Sequence, residues 1–332
     1  MRWTELPQGG AAAPTARSSH SLTAVTDDLL CLFGGELAPR KPVEPVAHLY
    51  SLSAGAWSAP AAAGALPSAR LGHAAAAVGG RVYVHAGRSE VALASALDDL
   101  HVFDAATAAW APLARSGAAP EPRNFHVAAA DDAGGAFYVF GGCSRAGRLA
   151  DLWRYDARAG AWARLPDAAG AAGRGGAGFA LAAGALWVIG GFTGAEAGDV
   201  HRFDLAAGAW EAVAPAGAAL RPRSVFARAA HACGGVGGGV CAHSEHIFLF
   251  GGEVDPADAA LGHAGAGEFA ADVLRLDTAR REWHAEAPGG AVPPARGWAA
   301  SAATPAGLAL HGGVAEGNRR LSDFWLLDVH AN

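Results

Sequence analysis

An all-β fold, a six-bladed β-propeller, is what this 332-residue sequence predicts, and three observations predict it. An apolar strand ending in a glycine pair recurs six times along the chain. A strand centred on tryptophan recurs in step with it. The last repeat lacks that tryptophan strand, and the first residues of the chain supply one, so the ring is expected to close on itself.

Each unit opens on an Arg-x-x-His strand: Arg17 with His20, Arg70 with His73, Arg123 with His126, then Arg174, Arg223 and Arg296 without the histidine. The three histidines recur in phase with the blades and are expected to be hydrogen-bonded framework groups. The second piece ends in the glycine pair: CLFGG at 31–35, YVHAG at 83–87, YVFGG at 138–142, WVIGG at 187–191, FLFGG at 248–252 and ALHGG at 309–313. Ala86 replaces the first glycine of the second copy, and the last glycines stand 49 to 61 residues apart. Runs such as RVYVHAG suit strands buried on both faces, and the glycines let the backbone turn with positive φ close to a neighbouring blade.

The third piece reads DLHVFD at 99–104, DLWRYD at 151–156, DVHRFD at 199–204, DVLRLD at 272–277 and DFWLLD at 323–328. The aspartates that open and close it are expected to bond turns. The fourth is the strand carrying Trp57, Trp110, Trp162, Trp210 or Trp283, a large ring for packing between four-stranded blades. The sixth unit stops at LLDVHAN; Trp3, in residues 1–6, is expected to complete it, making residues 1–332 a single propeller.

Composition narrows the function. The chain is 52% hydrophobic and 17% charged, with a formal net charge of −6. It lacks the basic footprint of a nucleic-acid or anionic-lipid binder. No apolar run reaches the length of a membrane span, and the first twenty residues hold no signal-peptide core, so a cytoplasmic protein is expected. Its four cysteines, Cys31, Cys143, Cys233 and Cys241, are then expected to be free thiols. Oligomeric state is not legible.

Function on a repeat scaffold resides where the units differ. The segment after the glycine pair is short in blades 3, 4 and 6 but about nineteen residues in blade 5, EVDPADAALGHAGAGEFAA. Glu253 follows the end of a strand directly, and Asp258 and His263 follow at steps of five; Asp255 is a rival for the aspartate. Two carboxylates and an imidazole are a mixed O/N donor set suited to Fe(II), Mn(II) or Zn(II). Glu36 also follows a glycine pair, so the GGE triplet alone does not mark a metal site.

The repeat period and its motifs resemble the kelch-repeat propellers. The FGGEVDP…GHAGAGEFAADV stretch, with LDTARREW after it, resembles the plant specifier proteins within them: the nitrile-specifier, epithiospecifier and thiocyanate-forming proteins. That resemblance implies Fe(II) held by Glu253, Asp258 and His263, and diversion of sulfated glucosinolate aglucones to nitriles, epithionitriles or thiocyanates. The family spacing E-x-x-x-D-x-x-x-H would fall on Ala257 and Leu261, so two inserted residues are needed to reach Asp258 and His263. The resemblance further implies sulfate-gripping catalytic arginines at Arg88 and Arg148, with Arg145 as the alternative to the latter, and aromatic substrate walls at Phe125 and Trp298. The alternative is a non-catalytic module that binds a protein partner at its mouth. A copper radical oxidase on this scaffold is disfavoured, because four tyrosines form no visible Tyr/Cys/His set.

Overall fold

The computed structural model describes residues 1–89, 96–115, 117–168, 170–231, 246–254 and 267–331. Six sheets surround one axis, each with the strand that follows its repeat arginine innermost and its tryptophan strand fourth from the axis. Blade 1 runs outward through Ser21–Ala24, Leu29–Phe33, Ala47–Ser51 and Ala56–Ser58. Blade 6 runs through Ala300–Thr304, Gly307–Ala315 and Arg319–Asp328, and its outer strand is Arg2–Glu5. Trp3 pairs with Leu327 and Glu5 with Trp325 across that closure. Blades 2, 5 and 6 are not four-stranded. A two-residue segment, Ala63–Gly64, Ala216–Gly217 or Gly289–Gly290, pairs in parallel with the outer strand. Only glycine fits its second position, where a Cβ would lie 2.2–2.3 Å from a tryptophan carbonyl oxygen.

The core lies between the blades. Each outer-strand tryptophan packs on the residue that precedes the glycine pair of the previous blade. Trp3 meets Phe250 at 5.0 Å between ring centroids, Trp110 meets Phe33 at 4.9 Å, Trp162 meets His85 at 5.0 Å, Trp210 meets Phe140 at 5.7 Å and Trp57 meets His311 at 5.6 Å. Trp283 shares a core cluster with Ile189. The tryptophans are thus structural, as their phase implies.

The histidines are framework groups too, and two have partners that are also histidines. His20 Nε2 lies 3.0 Å from His311 Nδ1, and His126 Nε2 lies 3.0 Å from His85 Nδ1. His73 bonds Ser21 Oγ at 2.9 Å, with Phe33 where the other two have an imidazole. Burial, aided by neighbouring positive charge, pushes His73, His85 and His311 down to about 3. His20 and His126 are also driven well below the ordinary range by burial and by their imidazole partners.

The closing aspartates bond turns as expected: Asp104, for one, accepts the N–H groups of Ala106 and Thr107. The opening aspartates do not. Asp99, Asp151, Asp199, Asp272 and Asp323 each take both Nη atoms of the blade's arginine at 2.6–2.8 Å. Those arginines also donate to the carbonyl that opens the glycine pair, at 3.0 Å. A buried guanidinium needs a counter-charge more than a turn needs a cap. Blade 1 departs from the pattern. Val46 stands in the aspartate's place, Arg17 keeps only Thr15 and the Gly34 carbonyl among the described residues, and burial pushes it down to about 10. Val46→Asp is expected to stabilise the fold by about 1–2 kcal/mol by restoring a charge-assisted pair, read as a higher denaturation midpoint at pH 7.

Candidate active site at the propeller mouth

Two rings of residues build the mouth. The residues after the six glycine pairs, Glu36, Arg88, Cys143, Phe192, Glu253 and Val314, each bridge to the residue that follows the blade's arginine. One residue further on stand Ser19, Gly72, Phe125, Gly176, Val225 and Trp298, all with φ between 48° and 60°. Their backbones form a closed circle of six N–H···O bonds of 2.7–3.0 Å: Ser19 to Trp298, Trp298 to Val225, Val225 to Gly176, Gly176 to Phe125, Phe125 to Gly72 and Gly72 to Ser19. Glycine suits that left-handed position. Phenylalanine, valine and tryptophan adopt it at a cost of about 1–2 kcal/mol each, and the circle of bonds holds their side chains at the axis.

Arg88, Phe125, Arg148, Trp298 and Glu253, all singled out from the sequence, come to this one mouth. Arg88 is buried, its guanidinium carbon 6.0 Å from the Phe125 ring centroid, and burial lowers its pKa. The Arg148 guanidinium carbon stacks 4.6 Å from the centroid of Phe192. Cys143 pairs with Arg148 across the blade-3 hairpin: burial pushes its thiol up, while the charges of Arg148 and Arg88 both pull it down. Trp298 packs edge-on against Phe269 at 5.9 Å.

Glu253 is held on three sides. Its backbone exchanges two 3.0 Å bonds with Ser224, it bridges to Phe269, and its Oε1 accepts the Gly267 N–H at 3.0 Å. The Val254 N–H bonds the Glu268 carbonyl, so the blade-5 loop leaves and returns beside this carboxylate. Asp255, Asp258 and His263 lie outside the described residues, as do Cys233 and Cys241. Among the described residues no three ligating side chains cluster as for a metal.

Glu196 went unnoticed in the sequence, and Glu36 was noted only for following a glycine pair. Glu196, in the short blade-4 loop, accepts Ser224 Oγ at 3.2 Å. Burial, with the charge of Glu253, raises it to about 7. Its Oε2 is buried without a hydrogen-bond partner among the described residues. On the other side Glu36, itself buried, accepts Ser18, Ser19 and Arg320 at 3.3–3.4 Å. The signal for Glu36 was present in the column after the glycine pair, which reads Glu, Arg, Cys, Phe, Glu, Val around the ring; Glu196 lies outside that column. The mouth therefore joins two cations, aromatic walls and a carboxylate pair, a combination suited to an anionic organic ligand.

Comparison with known proteins agrees with this architecture. The profile described as the KLHDC2/KLHL20/DRC7 Kelch-repeats domain matches residues 19–237. The N-(sulfonatooxy)prop-2-enimidothioate sulfolyase of Thlaspi arvense is 32% identical over 359 residues, covering 99% of this chain and 97% of the relative. Kelch domain-containing protein 3 of Bos taurus is 32% identical over 149 residues, 43% of this chain and 38% of that protein. Acyl-CoA-binding domain-containing protein 4 of Arabidopsis thaliana is 35% identical over 128 residues, 38% of this chain and 18% of that protein. Six kelch-type blades, a ring closed by the N-terminal strand and a full-length likeness to the sulfolyase lead to one assignment: the chain belongs to the kelch-repeat β-propellers and, among them, to the family of the specifier-type sulfolyase.

Proposed function

We propose that the protein is a specifier-type lyase, directing the breakdown of a sulfated, glucosinolate-derived aglucone to a nitrile or related product at an Fe(II)-dependent mouth. The observation that carries this reading is the pair of guanidiniums that adjacent blades set against the aromatic side chains of the mouth, Arg88 6.0 Å from the Phe125 ring centroid and Arg148 4.6 Å from that of Phe192. The activity named for the Thlaspi arvense relative, a sulfolyase, supports the substrate class.

Two guanidiniums from adjacent blades suit a sulfate group, which accepts paired N–H donors. Stacking on Phe192 fixes the plane of Arg148, and the side chain of Arg88 is fixed by burial. As the sulfate departs, negative charge grows on its oxygens, and two cations already in place stabilise it without reorganising. Phe125 and Trp298 wall the organic part of the substrate and exclude water from it. Glu253 is the fixed member of the proposed metal set, with Asp258 and His263 of the same loop completing it. A buried carboxylate beside Glu196, whose Oε2 has no hydrogen-bond partner among the described residues, fits a divalent first-row cation. Fe(II) held there supplies a Lewis acid or a one-electron donor toward sulfur.

Arg88→Ala and Arg148→Ala are each expected to weaken binding of the sulfated substrate at least about tenfold, equivalent to about 1.4 kcal/mol. Affinity for a desulfated analogue and the melting temperature should hold. Calorimetry that finds equal affinity in wild type and both variants removes the sulfate clamp and favours a protein-binding mouth instead.

A further inference from the structure

Below the mouth, the inner strands enclose a channel of about 420 Å3, and a neck of about 100 Å3 joins the two. Arg228 of the inner strand Ala227–His231 lines both. It stands three residues beyond Val225 of the backbone circle, roughly 10 Å further along the axis. Its equivalents in the other blades are Leu22, Ala75, Ala128, Phe179 and Ser301, so it is the single charge at this level. Ser301 fixes its backbone, accepting from the Arg228 N–H and donating to its carbonyl, both at 2.9 Å. The side chain then reaches across two blades: Nε donates to the Phe179 carbonyl at 2.7 Å and Nη2 to the Ala128 carbonyl at 3.4 Å.

Those bonds use only part of the guanidinium. No carboxylate pairs with Arg228 among the described residues, and burial alone lowers its pKa to about 10. The five repeat arginines of blades 2–6 each hold an aspartate bidentately, whereas Arg228 lines an open channel with no such counter-charge. The other polar groups of the channel wall are neutral. His20, His73 and His126 are uncharged at pH 7, and Ser21, Thr23 and Ser301 carry hydroxyls. Thr23 Oγ1 is itself buried without a hydrogen-bond partner among the described residues. A half-buried cation with unused N–H groups, in a channel whose other polar lining is neutral, calls for an anion that accepts several hydrogen bonds.

We propose that the central channel binds a small tetrahedral oxyanion, of the size and charge of inorganic sulfate, on the guanidinium of Arg228. This site is distinct from the clamp proposed for Arg88 and Arg148, which belongs to the mouth beyond the backbone circle. Sulfate bound there supplies the missing counter-charge and links the inner strands of blades 3, 4 and 5.

The test is a sulfate titration of melting temperature at constant ionic strength, in wild type, in the Arg88→Ala/Arg148→Ala double variant, and in Arg228→Met, Arg228→Gln and Arg228→Lys. A saturable rise is expected in wild type and in the double variant. It should be lost in Arg228→Met and Arg228→Gln and weakened in Arg228→Lys. Selenate soaked into wild-type crystals should give an anomalous peak against the guanidinium, a readout that survives if the variants fail to fold. The proposal is overturned if sulfate shifts Arg228→Gln as much as wild type, if chloride gives wild type the same saturable rise, or if the selenate peak is absent. A rise lost in the double variant but kept in the Arg228 variants would also overturn it, while leaving the mouth clamp in place.

Discussion

Lowering the pH from 7 to 5 is expected to remove roughly 6 kcal/mol of folding stability, a loss comparable with the 5–15 kcal/mol that holds a typical domain. His73, His85 and His311 titrate near 3 in the folded ring because they are buried. In the unfolded chain they titrate near 6.5. Below that value the unfolded state takes up protons that the folded state refuses, so stability falls as pH falls, by about 1.4 kcal/mol per unit and per histidine. Three such groups over about 1.5 units give the figure; His20 and His126 act in the same direction, while Glu196, raised to about 7 in the folded state, acts in the opposite one. The ion-paired aspartates do not offset it in this window. Burial pushes Asp99, Asp151 and Asp323 up, but the bonds and charge of their arginines outweigh it and hold them below the ordinary range. Their contribution is therefore full above about pH 4 and is lost only at lower pH. Denaturant midpoints between pH 7 and 5 measure the slope. His85→Phe, which copies the Phe33–His73 contact of blade 1, should reduce the loss at pH 5 by about 2 kcal/mol. A midpoint independent of pH in this range would contradict the neutral-histidine framework.

Removing residues 1–6 is expected to open the ring. Trp3 is 1% exposed and packs with Phe248, Phe250, Leu308, Leu310 and Leu327. Its strand pairs along Arg319–Asp328, the Leu6 N–H bonds the Phe324 carbonyl, and the N-terminal amine contacts the Ala331 carbonyl. Trp3→Ala alone should cost about 3–5 kcal/mol, the range for a buried large aromatic. The deletion should cost more. It also exposes the backbone of Arg319–Asp328 as a free edge, which favours self-association. Equilibrium unfolding and light scattering report the two effects, and a truncated protein that melts and scatters like the full chain would contradict closure.

The ring was legible because its signals repeat. Six glycine pairs and six tryptophans constrain one another, and a local misreading cannot survive six phases. The aspartates that open the third strands were misread because spacing along one strand does not reveal a partner in another. Their arginines lie 25 to 49 residues away and become neighbours only in the folded blade. The histidine pairs His20–His311 and His85–His126 escaped notice for the same reason, since each joins two blades. At the mouth, Glu253 was singled out because its loop interrupts the repeat, and Arg88, Phe125, Arg148 and Trp298 because they match positions of the family the sequence resembles. Glu196 opens the third strand of blade 4, opposite Phe192 as Arg148 stands opposite Cys143, but its raised pKa comes from burial and from Glu253 of the next blade, which the sequence does not show. Arg228 carried no motif at all; it stands out only once Ala128, Phe179 and Ser301 are seen around it.

The most direct measurement is the product ratio from a sulfated aglucone released in place by a thioglucosidase, with protein prepared anaerobically and equilibrated with Fe(II). The proposed lyase should bind iron stoichiometrically and shift the products from the unassisted rearrangement toward nitrile or thiocyanate. Arg88→Ala should return the ratio toward the unassisted one while keeping its iron, and His263→Ala should lose both. An unchanged ratio from folded protein that carries its iron would contradict a specifier activity and leave the propeller as a binding scaffold.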